Sequence, residues 1–210
     1  MTSKVLVLGA AGQIAKCAVP MLSEQGHELS LFVRSAAQLS DVPAGARVIE
    51  GDAVDRAQLR VAIAGQDVVY ANLSGPVAEQ AAAIVEVMRD SGVSRLIFIL
   101  SLGIYHELPA AFEAWNDRMI GEALRPYRAA ADTIEASDLE YTVVRPAWLT
   151  DADEIDYETT DREETFRGTE VSRKSVAAFV VDAIGDPVRW SRANVGLNKP
   201  GTDGDKPTFM

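Results

Sequence analysis

Residues 4–15 read KVLVLGAAGQIA. A short apolar run, Val5 to Leu8, breaks into Gly9-Ala10-Ala11-Gly12-Gln13-Ile14-Ala15, and a helix-compatible segment continues to Gln25. The pattern is G-x-x-G-x-x-A at the end of a first strand. Gly9 lets the chain turn tightly out of that strand. Gly12 carries no Cβ to hold an incoming group away from the backbone. Ala15 is small enough for the helix to lie close to the sheet. The helix start then offers free N–H groups and the positive end of its dipole to an anion. In this context the motif points to a dinucleotide, with Gly9, Ala11, Gly12, Gln13 and Ile14 around its diphosphate. The same glycines also suit a plain strand-to-helix turn; what separates the readings is the strand directly before them and the helix directly after.

Beyond this stretch, strand-like and helix-like segments alternate. Strands are expected at 29–33, 47–50, 67–71, 96–100 and 141–144, the last closed by Arg145-Pro146. Ala193 to Leu197 is expected to add a final edge strand. Helices are expected at 56–64 with Asp55 as N-cap, at 77–91 ended by Gly92, over 110–137 with Pro126 as a candidate break, and from a Ser172 cap to about Ile184. The run LIFIL (96–100) is apolar on both faces, as a central parallel strand must be. Such alternation predicts an α/β fold: one Rossmann-type doubly wound parallel sheet with helices on both faces. Ligands then sit at the carboxyl ends of the strands. The acidic stretch Thr150 to Glu164 has no clear period and reads as a loop, either a lid or a solvated excursion. The tail 198–210 is rich in Gly, Pro and Asp and is expected over the surface.

A chain of 210 residues suits a single domain spanning 1–210, with a small substrate side built from loops around 104–127 and 147–170. A net charge of -11, without a long Lys/Arg run, argues against nucleic acid or an anionic membrane as partner. A small-molecule substrate is expected, with the protein a monomer or homodimer. The lone cysteine, Cys17, excludes an internal disulfide and fits a reducing compartment; inside the first helix it reads as a packing residue. With the first strand starting at residue 4 and no apolar run of membrane-span length, no signal peptide and a cytoplasmic location are expected. His27 and His106 are not at metal-ligand spacing, so no metal site is expected; His106, just after Tyr105, can approach a substrate but reads first as an exposed loop histidine.

The strand ends supply the rest of the predicted site. Strand two ends in Val33-Arg34-Ser35, which in a dinucleotide fold faces the adenosine ribose. A carboxylate there would repel a 2′-phosphate; Arg34 and Ser35 favour one, and hence NADP over NAD. Read without the glycine motif, Arg34 is an ordinary exposed arginine. Strand three ends in Gly51-Asp52-Ala53, where Asp52 can accept the adenine amino group or serve as a turn residue. Strand four ends in Asn72-Leu73-Ser74-Gly75, small and polar where ribose and diphosphate pass. Strand five ends in Ser101-Leu102-Gly103-Ile104-Tyr105. Ser101 can reach a carbonyl beside the nicotinamide, and Tyr105 can supply a second donor; both can equally be structural. Strand six ends in Pro146-Ala147-Trp148, expected against the nicotinamide, with Trp148 as a pocket wall or as core.

With these residues in place the chain resembles the atypical short-chain dehydrogenase/reductase superfamily, in particular its NAD(P)H-binding branch of flavin reductase-like and nitrogen-metabolite-repression-regulator-like proteins. The resemblance rests on GAAGQIA (9–15), VRS (33–35), GDAVD (51–55), ANLSG (71–75), SLGIY (101–105), SDLEYTVVRPAWL (137–149) and EVSRKSVAAFV (170–180). It implies a Rossmann fold, NADP binding and a reductase or isomerase activity. The superfamily's catalytic pair is Tyr-x-x-x-Lys on the helix after strand five. Counting back from Arg145-Pro146, these positions fall at about Ala123 and Tyr127, so neither side chain is present. Only Ser101 matches a catalytic position. The resemblance therefore implies an NADPH-dependent oxidoreductase passing hydride to a flavin, quinone or carbonyl. The alternatives are a cofactor-binding regulator without turnover and, further off, an epimerase-like sugar-nucleotide enzyme.

Overall fold

The computed structural model describes residues 2–210. Among these the chain runs β1 (Lys4–Leu8), α1 (Gln13–Glu24), β2 (Glu28–Val33), β3 (Arg47–Glu50), α2 (Arg56–Ile63), β4 (Val68–Ala71), α3 (Val77–Ser91), β5 (Arg95–Ile99), α4 (Ala110–Glu135) and β6 (Glu140–Pro146). It continues through β7 (Trp148–Thr150), β8 (Glu158–Thr160), β9 (Glu170–Ser172), α5 (Arg173–Gly185) and β10 (Ala193–Asn198). The main sheet has the order β3-β2-β1-β4-β5-β6-β10-β8. Every neighbouring pair in it is parallel except β10 with β8. This is the predicted α/β fold, a doubly wound sheet of Rossmann type. The direction of winding reverses between β1 and β4, which opens a crevice at the carboxyl ends of those strands.

Side-chain alternation divides the core. Val5 and Val7 of β1 face α1 and α5, whereas Leu6 and Leu8 face α2, α3 and α4. All four are fully buried, which is why this strand reads as an unbroken apolar run. The expected caps are present: Asp55 accepts the N–H groups of Ala57 and Gln58, and Ser172 accepts that of Ser175. Burial pushes the Arg95 guanidinium down to about 10. It donates to the Ala183 carbonyl in the last turn of α5 and to Glu140 O, each at 2.9 Å, tying that helix end to the sheet.

Three sequence expectations change. The helix is not broken at Pro126; α4 continues through it. A proline removes one backbone hydrogen bond, and packing of Leu124, Ala130, Ala131 and Ile134 on the sheet holds the helix across the gap. The stretch 150–164 is not all loop, because 158–160 form β8. Nor does β10 close the sheet, since β8 pairs along its outer side. What a linear pattern cannot show is that an acidic excursion returns to cover the edge. It is pinned there by ion pairs of Asp151 with Arg173, Asp153 with Lys174 and Glu154 with Lys199. Ser172 and Ser175 also donate their hydroxyls to the Glu154 carbonyl.

The carboxyl end of β6 carries a buried charge. Arg145 is fully buried and forms an ion pair with Glu107, whose side chain is 5% exposed. The Glu107 carboxylate also accepts the N–H groups of Gly103 at 3.0 Å and Tyr105 at 2.9 Å. Arg145 Nε donates to Asn194 Oδ1 of β10 at 2.7 Å. The loop after β5 is thus wrapped around one carboxylate and locked to two strands. Removing one partner leaves an uncompensated buried charge, which costs about 3–5 kcal/mol. Glu107→Ala is expected to lose that much in denaturant unfolding, and the double variant Glu107→Leu, Arg145→Met to recover most of it. A loss below about 1 kcal/mol in the single variant would show that the pair does not hold the loop.

Candidate functional site

The crevice at the winding reversal is a cleft of about 500 Å³. Its walls bring together most of the residues predicted from the strand ends: Gly9, Ala11 and Gly12 after β1, Arg34 after β2, Asp52 and Ala53 after β3, and Asn72 to Gly75 after β4. Four segments scattered over 67 positions of sequence meet because β3, β2, β1 and β4 are consecutive neighbours. Helix α1 starts at this cleft with Gly12 as N-cap, without a side-chain cap and without an acidic residue in its first turn. Its first N–H groups are therefore free for an anion.

Gly9 sits at φ +77°, in the left-handed region, and a Cβ there would lie 2.2 Å from the Asn72 carbonyl. The turn out of β1 and the close approach of β4 both require glycine. At Gly12 a Cβ would lie 2.3 Å from Asn72 Nδ2. The hydrogen-only face of Gly12 is thus matched by a short polar donor that can turn aside or donate to an anion.

Arg34 is exposed, and among the described residues no carboxylate lies within ion-pair distance of it. Asp52 uses one oxygen to accept the Val54 N–H at 3.1 Å, so the turn reading holds, while the side chain remains at the cleft wall. Ser35, Gln13 and Ile14 stand outside the lining. Ser35 precedes the 3₁₀ turn 36–38, Gln13 is exposed on α1, and Ile14 is 5% exposed and packs into the core beneath α1.

Sequence reading missed several residues of this cleft. Phe32, Gln38, Pro76 and Gln80 also line it. Gln80 is 6% exposed and donates to the Ser74 carbonyl at 3.2 Å, bracing the turn after β4. Its place one turn into α3 was the available signal, being the helix start nearest that strand end. Gly51 is also required by packing: a Cβ would meet the Phe32 ring at 2.6 Å.

The strand-five and strand-six segments lie beside this cleft's lining rather than in it. Backbone bonds from Leu100 N to Val144 O at 2.7 Å and from Leu102 N to Pro146 O at 3.3 Å extend the β5–β6 pairing past the strand ends, with half-buried Ser101 between them. Pro146 and Ala147 are buried. Trp148 is partly exposed. It donates Nε1 to Oδ1 of fully buried Asn116 at 3.0 Å and packs against Trp115 with ring centroids 5.0 Å apart. Asn116 was not singled out in the sequence, because nothing in a helical pattern distinguishes a buried amide from an exposed one.

Tyr105 turns into the Arg145 network. Its hydroxyl accepts Asn194 Nδ2 at 2.8 Å, and the guanidinium groups of Arg128 and Arg162 lie 4.6 and 4.5 Å from its ring centroid. Burial pushes this hydroxyl above the ordinary phenol range, and a hydrogen bond from Arg162 pulls against that. On α4, Ala123 is exposed and Tyr127 is half-buried, its hydroxyl also raised by burial.

Residues 9–187 match the family described as NAD(P)H-binding. The chain is 28% identical over 211 residues to a Bacillus subtilis (strain 168) protein named "uncharacterized sugar epimerase YhfK", covering 90% of this chain and 92% of that one. Among solved structures it resembles a Rossmann-fold NAD(P)-binding family protein from Shigella flexneri, with 48% identity, a TM-score of 0.85 and full coverage of both chains. It also resembles a short-chain dehydrogenase/reductase from Veillonella parvula DSM 2008 in complex with NADP, with 28% identity, a TM-score of 0.89 and full coverage of both. No helix among the described residues is long and apolar enough to cross a membrane. The glycine turn, the winding reversal and these likenesses agree: the chain belongs to the NAD(P)H-binding family of Rossmann-fold proteins.

Proposed function

We propose that this protein is an NADPH-dependent oxidoreductase that passes hydride to a small acceptor, a flavin, quinone or carbonyl. The observation that carries the reading is the cleft itself, in which an uncapped helix start, a Cβ-free face at Gly12 and an unpaired guanidinium at Arg34 lie along one wall. A nicotinamide dinucleotide carrying a 2′-phosphate fits that donor set. The α1 N–H groups and Asn72 Nδ2 face the diphosphate, Arg34 with Ser35 takes the 2′-phosphate, and Asp52 takes the adenine amino group. The bound cofactor supplies the hydride. The protein orients the acceptor, and the Ser101 hydroxyl hydrogen-bonds an acceptor oxygen, with Pro146, Ala147 and Trp148 beside the nicotinamide. The structure of the Veillonella parvula relative in complex with NADP supports the choice of cofactor.

A second reading, a cofactor-binding regulator without turnover, is favoured by Ala123 and Tyr127 standing where the superfamily has its tyrosine and lysine. The epimerase reading rests on the names of relatives such as the Bacillus subtilis protein. NADPH oxidation with flavins, quinones and simple carbonyls separates the first two: turnover supports the enzyme, and tight binding without turnover supports the regulator.

By calorimetry the protein is expected to bind NADPH more tightly than NADH. Arg34→Ala should lose about 1.5–3 kcal/mol of NADPH affinity, the worth of one charged hydrogen bond, and little NADH affinity. Equal affinity for the two cofactors in the wild type would remove the 2′-phosphate assignment. Gly12→Val is expected to keep the fold by circular dichroism, since its Cβ meets chiefly the movable Asn72 amide with the Gly9 carbonyl at 3.1 Å, yet to lose cofactor binding. Normal NADPH binding by a folded Gly12→Val protein would place the diphosphate elsewhere. Ser101→Ala is expected to slow turnover roughly 10²-fold if the hydroxyl stabilises developing charge, and Tyr127→Phe to leave it nearly unchanged. The reverse ranking would make Tyr127 the acid.

A further inference from the structure

Gln80, in the first turn of α3, carries a buried oxygen that the fold leaves without a donor. The residue is 6% exposed and lines the cleft together with Asp52, Ala53 and the turn 74–76. Its backbone N–H donates to the Pro76 carbonyl at 3.0 Å and its Nε2 to the Ser74 carbonyl at 3.2 Å. Turning the amide over would set Oε1 against the Ser74 carbonyl, two acceptors face to face. The carboxamide therefore has one orientation, with Nε2 spent on the turn and Oε1 unspent. Among the described residues no donor meets Oε1, and it is shielded from water. Buried acceptors are nearly always paired, because an unmade hydrogen bond away from water carries the full desolvation cost. The turn beside it has room to shift: Ser74, Gly75 and Pro76 are exposed, and a Cβ on Gly75 would meet nothing within 4 Å.

Asp52 carries the matching group. One of its oxygens accepts the Val54 N–H, and among the described residues the other accepts nothing from the protein. Helices α2 and α3 pack side by side, with Arg56 paired to Glu86 and Arg60 to Asp90. In that register the chain just before α2 stands level with the start of α3, so Asp52 and Gln80 belong to the same end of the cleft. We propose that Gln80 Oε1 and the free Asp52 oxygen share the exocyclic amine of the cofactor's adenine, and that Gln80 thereby selects the base. The inference rests on the dinucleotide reading above and adds a residue to it. An amine on a purine ring offers two N–H donors, and two acceptors are needed to satisfy both. A base with a carbonyl at that position, hypoxanthine, sets oxygen against two oxygens and is rejected.

The test is calorimetry on the full chain with NADPH and with its hypoxanthine analogue. The wild type is expected to bind NADPH roughly tenfold more tightly than the analogue. Gln80→Met, similar in length but without an acceptor oxygen, should bring that ratio down to about threefold or less, with the fold intact by circular dichroism. Gln80→Glu keeps an acceptor oxygen and gives up the amide donor to Ser74; it is expected to hold the ratio near the wild-type value. A residue that only braces the turn would weaken both dinucleotides alike and leave the ratio unchanged in Gln80→Met, and that result overturns the proposal. So does a ratio lost equally in Gln80→Met and Gln80→Glu, which would assign the effect to the bond with Ser74. A wild-type ratio near one overturns it without any variant. Each of these leaves the cofactor reading standing, whereas binding of neither dinucleotide overturns both.

Discussion

The guanidinium of Arg145 is the constraint around which the carboxyl edge of this sheet is arranged. A full charge at a fully buried position is tolerated only when its donors meet acceptors. The acceptors come from the whole neighbourhood: the Glu107 carboxylate from the loop after β5, Asn194 from β10, and the Asp161 carbonyl from the chain past β8. Asn194 passes the connection on, donating to Glu135 at the end of α4 and to the Tyr105 hydroxyl. One side chain therefore determines how a loop, a helix end and two strands meet.

The consequence for the candidate site is a loop after β5 that is folded around one carboxylate. Residues 100–109 leave the sheet between two strand exits and must turn back into α4. Glu107 accepts two backbone N–H groups of this turn while neutralised by Arg145, so the turn is built on a charge-assisted centre. Ser101 is presented from the start of this loop, between the Leu100 and Leu102 backbone bonds to β6. Tyr105 is used within it, its ring close to the guanidinium groups of Arg128 and Arg162 and its hydroxyl accepting from Asn194. A phenol so engaged and raised by burial is a packing group first.

The opposite half of the crevice is organised by close approach instead of charge. Gly9 and Gly12 both meet Asn72, one through its carbonyl and one through its side-chain amide. The absence of two Cβ atoms lets β4 come near enough to the β1 turn for the strand ends to form one wall. The arginine-centred half and the glycine-centred half share β4 and β5 as neighbours, which places Ser101 beside the cleft.

The sequence by itself determined the fold class and the near end of the site. Gly9 and Gly12 after an apolar strand, short unbroken apolar runs for the central strands and helical periods between them leave few architectures, because each pattern acts over a few residues and is local in the chain. Arg34, Asp52 and Asn72 were legible for the same reason: each is the first polar residue after a strand, and a parallel sheet carries all such positions to one edge. Tertiary structure alone decided the rest. That β8 returns to pair with β10, that α4 packed on the sheet runs through Pro126, that Arg145 meets Glu107, and that Asn116 finds Trp148 all depend on contacts between distant segments. A buried asparagine and an exposed one occupy identical helical positions in a linear pattern, and only packing assigns the partner that makes burial of a polar group tolerable.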